Sequence, residues 1–284
     1  MKPELLIRRN RRTAAFIGGL FLVAGAAGAQ DAAEILRRSI EHDAANIELL
    51  KNYTFVERNE ERTYDGSGRL KSRESETYEI LILEGRPWGK QIERNDKPLD
   101  AKDARREQEK LDRELAKRKR ETDRDPDRED KDTIQSRRFL REVPQAFVLS
   151  IDGVEQIDGR PVWVISATPR AGYRPKLPHG DVLTKVRGKI WIDQAEYQWV
   201  KVDAEAIAPL SFGLGLLRLA PGGSLHFEQT RVNDEVWLPS KAEIRADARV
   251  AYVRKLRAEM DIQYRDYKKF QSDSRILEAA PETK

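Results

Sequence analysis

The 284-residue chain has no cysteine. Disulfides, thiolate metal sites and a cysteine nucleophile are therefore excluded. Histidine is almost as scarce: His42, His179 and His226 stand alone, none at zinc-ligand spacing from another histidine or a glutamate. No Gly-x-Ser-x-Gly elbow exists, since Gly222-Gly223-Ser224 lacks its second half. Gly213 and Gly215 sit in an apolar run with no Lys-Ser/Thr pair after them, so a phosphate loop is missing too. With nucleophile, metal and cofactor signatures all wanting, the chain reads as non-enzymatic, and no cofactor is expected. The alternative is a hydrolase whose serine and histidine meet only in the fold.

A long hydrophobic run is also lacking. The longest apolar stretch, residues 13–28, falls short of the ~20 residues that span a bilayer. It follows a basic head of Lys2, Arg8, Arg9, Arg11 and Arg12 and ends in Ala27-Gly28-Ala29. That is the three-part pattern of a secretory signal peptide, residues 1–29, cleaved after Ala29 to leave Gln30 first. General secretion is preferred over twin-arginine export, because nothing beyond the paired arginines supports the latter. The expected location is the periplasm or the medium, with no membrane span after processing.

Excess charge of one sign disappears with that segment. The whole chain carries 53 Lys+Arg against 49 Asp+Glu. Residues 1–29 hold five of the bases and one acid, so the remainder balances. A neutral body has no general attraction to polyanions, and nucleic acid is not an expected partner.

Residues 31–50 read as an amphipathic helix, with Asp31 and Glu34 in capping-box spacing and an apolar stripe of Ala33, Leu36, Ile40, Ala44 and Ile47. From Asn52 the period changes to two. Strands are expected at 53–56, 77–83 and 88–93, then at 147–151, 154–157, 161–167, 189–192, 198–206, 225–232 and 235–238. Turns are expected at Asp65-Gly66-Ser67-Gly68, Glu84-Gly85, Asp158-Gly159 and Asn233-Asp234. Leu256, Ala258, Met260, Ile262 and Tyr264 alternate with charged or polar residues, which marks a strand with one dry face. Ala242, Ile244, Ala246, Ala248 and Val250 alternate likewise and are mostly small, which lets another element approach closely or leaves room for a guest.

Residues 100–132 differ in kind. Between 102 and 120 only Ala104, Leu111, Leu115 and Ala116 are apolar, and Pro126 breaks the helix that the i,i+4 pairs favour. The reading is an exposed charged insertion, about 100–140, whose removal should shift the melting temperature little. Asp123, Asp125 and Asp127 imitate the start of a calcium loop, but Arg128 and Ile134 replace its glycine and glutamate. A solvated charge run is the better reading.

The stretches 153–169 (GVEQIDGRPVWVISATP) and 188–202 (GKIWIDQAEYQWVKV) resemble hairpin sequences of the outer-membrane lipoprotein-sorting superfamily, with its LolA-like, RseB-like and LolB-like members. They look closest to secreted bacterial members. The order of signal peptide, helix, meander, helical interruption and long strands matches over most of residues 31–270. The resemblance implies an α+β, mainly β fold: a long curved antiparallel sheet, an open half-barrel, wrapping the N-terminal helix. One domain would cover 30–270, with a flexible tail at 271–284.

It also implies a lipid or the acyl chain of a lipoprotein held in the concave face. The alternative is an RseB-like sensor or interaction module that meets an envelope protein through residues 100–132. Candidate apolar contacts are Trp88, Trp163, Trp191, Trp199, Phe212, Leu214, Leu216, Leu217 and Trp237. Within the apolar run 207–220, Leu214, Leu216 and Leu217 would form a flap hinged at Gly213 and Gly215. The competing reading of that run is a buried core strand.

Overall fold

The computed structural model describes residues 21–125, 131–177, 180–212, 217–250 and 254–270. The basic head and the start of the apolar run, the tail at 271–284, and Leu214 and Leu216 lie outside them.

The described residues open with α1 (Phe21–Leu50) and a meander, β1 (Tyr53–Tyr64), β2 (Leu70–Leu83), β3 (Arg86–Arg94) and the short β4 (Lys97–Pro98). Two helices interrupt it, α2 (Ala101–Arg124) and α3 (Lys131–Ala146). Then come β5 (Phe147–Ile157), β6 (Arg160–Pro169), a 3-10 turn (Gly180–Thr184), β7 (Val186–Asp193) and β8 (Trp199–Ala206). A small hairpin, β9 (Leu210–Phe212) with β10 (Leu217–Leu219), precedes β11 (Ser224–Val232), β12 (Val236–Val250) and β13 (Arg254–Lys269).

All pairings are antiparallel, in the order β4-β3-β2-β1-β13-β12-β11-β8-β7-β6-β5. The sheet is open, because its two end strands do not pair with each other among the described residues. Tight turns follow the expected chemistry: Glu84-Gly85, Asp158-Gly159 and Asn233-Asp234 each place two consecutive residues at positive φ, as two-residue hairpins require. Asn95-Asp96 does the same and produces β4, which the alternation did not suggest.

Helix α1 begins at Phe21, so Asp31 lies inside it and is no N-cap. Glu34 binds Arg37 and Arg38 instead, which hold its carboxyl down at about 2. The stripe it buries is Ala32, Ile35, Leu36 and Ser39, with Ala33 and Ile40 at the margin, rotated slightly from the expected one. It packs on Phe147, Leu149, Ile165, Ala167, Ile190 and Ile192, joined by Val143 and Ala146 of α3. Each fully buried Leu or Ile contributes roughly 1.5–3 kcal/mol, so this contact fixes which face of the sheet is covered. Farther along, Asn46 brackets the Trp237 backbone, accepting from its N–H and donating to its C=O, both at 2.8 Å.

Two elements differ from expectation. Residues 147–157 form one strand, because the step at Asp152-Gly153 is a bulge against β6 rather than a turn. Helix α2 is docked, although most of its residues are exposed. Asp100 caps it by accepting from the Asp103 N–H at 2.8 Å. Arg118 is buried and donates to the carbonyls of Leu83 (3.3 Å), Arg86 (2.8 Å) and Pro87 (3.3 Å), with its guanidinium 5.6 Å from the centre of the Trp88 ring. Lys90 to Gln108 and Arg94 to Asp103 continue the contact along β3. A thin apolar stripe did not reveal this, since the docking is polar. Replacing Arg118 with alanine should cost about 1–3 kcal/mol in urea and speed tryptic cleavage within α2. An unchanged urea midpoint would mean that α2 is a loosely held arm.

Candidate functional site

Strand register sorts side chains onto two unlike faces. On the face that α1 covers, Ile190, Val202, Phe227, Ala242 and Ile262 follow one another across five strands. One step farther along lie Ala204, Leu225, Ile244 and Met260. Leu225 and Ile244 are direct cross-strand neighbours, and each remains 39% exposed. This second row ends at Glu61 and Glu74. The apolar face therefore continues past the ground that α1 occupies, then turns acidic.

Next to it, Phe55 stacks with Tyr264 and Tyr267 at 5.9 and 6.0 Å between centroids. Burial pushes the Tyr267 hydroxyl up to about 12. Burial, reinforced by the nearby Glu57 carboxylate, raises Tyr264 as well. These phenols stay protonated donors at any physiological pH, and Tyr267 donates to the Pro239 carbonyl at 2.5 Å.

The hairpin β9–β10 stands at the far end of β12. It pairs Leu217 with Val250 and Leu219 with Ala248, continuing the edge that β11 occupies as far as Arg245. The run 207–220 is thus a detour between β8 and β11, closed at its base by Ala206 N–H to Gly223 O and Gly222 N–H to Ala206 O, each 2.8 Å.

The opposite face is polar along this stretch, in line with the second row. Lys189, Asp203, His226, Glu243, Asp261 and Glu60 face one another in turn from β7 to β1. Flanking rows supply ion pairs: Arg187–Glu205 at 2.8 Å, Arg245–Glu243 at 2.9 Å, and Arg62–Asp261. Arg73 and Arg58 hold Glu60 down at about 2. A groove of about 760 Å³ runs over this face, lined by Ser166, Lys189, Asp203, Ser224, His226 and Glu243 among others. Within it the His226 ring lies between two carboxylates, Nδ1 at 2.5 Å from Asp203 Oδ1 and Nε2 at 2.8 Å from Glu228 Oε1. The groove offers hydrogen bonds and alternating charge; its surroundings show no group of three or more metal-binding side chains among the described residues.

The candidate contacts do not converge. Trp163 and Trp199 lie beneath α1 at the margin of the main core. Trp191 and Trp237 lie on the opposite face with Val162, Val164 and Val200, where Trp191 Nε1 donates to Glu155 and Trp237 Nε1 to Glu196. Trp88 sits under Arg118 at the β3 edge. Phe212 and Leu217 oppose each other in the β9–β10 hairpin. Ile244 and Met260 were read from sequence only as members of alternating rows, and Leu225 of β11 was not singled out. The neighbours that leave Leu225 and Ile244 uncovered were not legible.

No family profile matches the chain, and no curated protein matches it. Solved structures do. A domain named for outer-membrane lipoprotein sorting from Vibrio parahaemolyticus is 12% identical, with a TM-score of 0.36 over 87% of this chain and 95% of that one. A LolA-superfamily protein from Nitrosomonas europaea is 11% identical, TM-score 0.33, over 87% and 97%. The MucA/MucB complex of Pseudomonas aeruginosa is matched at 10% identity and TM-score 0.22, over 83% and 100%. The fold class expected from sequence, mainly β with one open antiparallel sheet and an N-terminal helix packed on it, is what the structure shows.

Proposed function

We propose that the protein is a non-enzymatic binding protein of the cell envelope that holds an apolar chain, of the kind found in lipids and acylated proteins, against the α1-covered face of β8, β11, β12 and β13. The observation that carries this reading is the exposed pair Leu225 and Ile244, set in a row with Ala204 and Met260. Small neighbours such as Ala242 and Ala246 let a chain lie close to the backbone. Each methylene buried there contributes about 0.8 kcal/mol, so affinity requires no specific polar contact. That accounts for the lack of a binding motif. Glu61 and Glu74 at the end of the row disfavour an anionic headgroup at that end and leave the β8–β13 stretch for the uncharged part.

Ile244→Lys tests the reading, since the position is exposed and tolerates a charge without unfolding. The substitution should weaken a fluorescent acyl probe by about tenfold or more, while the urea midpoint moves by less than ~0.5 kcal/mol. Unaltered probe binding in the folded variant would overturn the assignment.

A further inference from the structure

The charges of α2 are sorted around its axis. Along one side, with Thr122 half-buried beside them, Asp103, Glu107, Leu111, Glu114, Arg118 and Glu121 are half-buried or buried. They recur at three- and four-residue steps and hold four of the helix's seven acids. A second stripe is entirely basic and exposed: Lys102, Arg106, Lys110, Arg113, Lys117, Arg120 and Arg124. At 3.6 residues per turn these seven share an arc of about 80°, and no acidic residue of α2 falls within it. Along the axis they span about 33 Å. Arg106, Lys110 and Lys117 reach back to Asp103, Glu107 and Glu114, yet their side chains stay 61, 54 and 60% exposed. Among the described residues Lys102, Arg113 and Arg120 make no ion pair.

We propose that this stripe docks the protein on an anionic bilayer surface. The helix is fixed to the sheet by Arg118, and along this stripe it presents only long flexible cations. Such a rod has no pocket or projecting aromatic side chain with which to read a particular protein epitope. A planar array of lipid phosphates meets all seven cations at once, at roughly 1 kcal/mol for each one near the surface. Neutrality of the body as a whole does not oppose this, because the Debye length at physiological salt is about 8 Å and the stripe acts locally. The docking is independent of the acyl-chain site, which lies on other strands.

Sedimentation with vesicles tests it. The processed full chain should bind vesicles of phosphatidylcholine with phosphatidylglycerol, bind pure phosphatidylcholine vesicles far less, and be released as salt rises. The triple variant Lys102→Glu, Arg113→Glu, Arg120→Glu should lose partitioning roughly 100-fold. Its glutamine counterpart should fall in between. Both variants should keep the acyl-probe affinity of the parent, which separates this surface from the chain-binding face. Equal binding to neutral vesicles, or undiminished binding of the folded triple variant, would overturn the proposal. Retention on a soluble polyanion such as heparin without vesicle binding would overturn it as well.

Discussion

Asp193→Ala should lower the unfolding free energy by about 3–5 kcal/mol, the largest loss we expect from a single truncation. The Asp193 side chain is almost fully buried at the end of β7. Arg160 grips it with two hydrogen bonds of 2.7 and 2.9 Å, and the backbone N–H groups of Ala195 and Glu196 donate to Oδ1 at 3.0 and 2.8 Å. One carboxylate thus organises the β7–β8 turn and ties it to the start of β6. Alanine would leave two amides without their acceptor and Arg160 without its strongest partner. Burial pushes this carboxyl up, but Arg160 and the two amides outweigh burial and keep it below the usual aspartate range. The sign follows. Its contribution is complete above the pKa of the unfolded chain and fades as pH falls through the lower folded value. Asp193→Asn should therefore flatten the acid limb of the stability curve. A urea difference under about 1 kcal/mol at pH 7 would show that the turn holds without the carboxylate.

Gly188→Val should do comparable damage by a different route. A Cβ on Gly188 would stand 2.4 Å from the Asp203 carbonyl oxygen and 3.3 Å from the Ala204 Cα, both backbone atoms of β8. Rigid backbone cannot swing aside as a side chain does, so β7 and β8 would have to part. Expected is a loss of about 3 kcal/mol or failure to accumulate as soluble protein. Gly66→Ala is the control, since a methyl there meets nothing within 4 Å. Equal urea midpoints for the two variants would refute the close approach.

Most of the fold was legible because antiparallel strands and their turns are local. Asp158-Gly159 and Asn233-Asp234 announce two-residue hairpins, and the alternation in β13 names its dry face before any partner is known. What stayed hidden depends on register and sheet order. Leu225 and Ile244 belong to the Asn233-Asp234 hairpin, but they face each other only because the bulge at Glu228/Gln229 shifts the register by one residue, which the turn does not announce. His226 meets Asp203 only because β11 lies beside β8, after the β9–β10 detour. Helix α2 was legible as a helix but not as a docked one, because hydrophobic periodicity cannot report an arginine that binds carbonyls. The five tryptophans misled as a group: each lies on or beside a strand, yet alternation sends Trp163 and Trp191 to opposite faces.

The meeting of β1 with β13 has a consequence for how the chain reaches this state. These strands pair from Tyr53 with Lys269 to Tyr64 with Arg257, near the middle of the sheet, although residues 65–253, about two thirds of the chain, lie between them. Two meanders, β1–β4 and β5–β13, can each assemble from neighbouring segments. The seam between them closes only after a large loop has been brought together, which is entropically slow. Until residues 254–269 have emerged and paired, β1 keeps an open hydrogen-bonding edge, the kind of edge that recruits strands from other chains. A chain delivered from its N-terminus must therefore be kept from its neighbours until its last strand arrives.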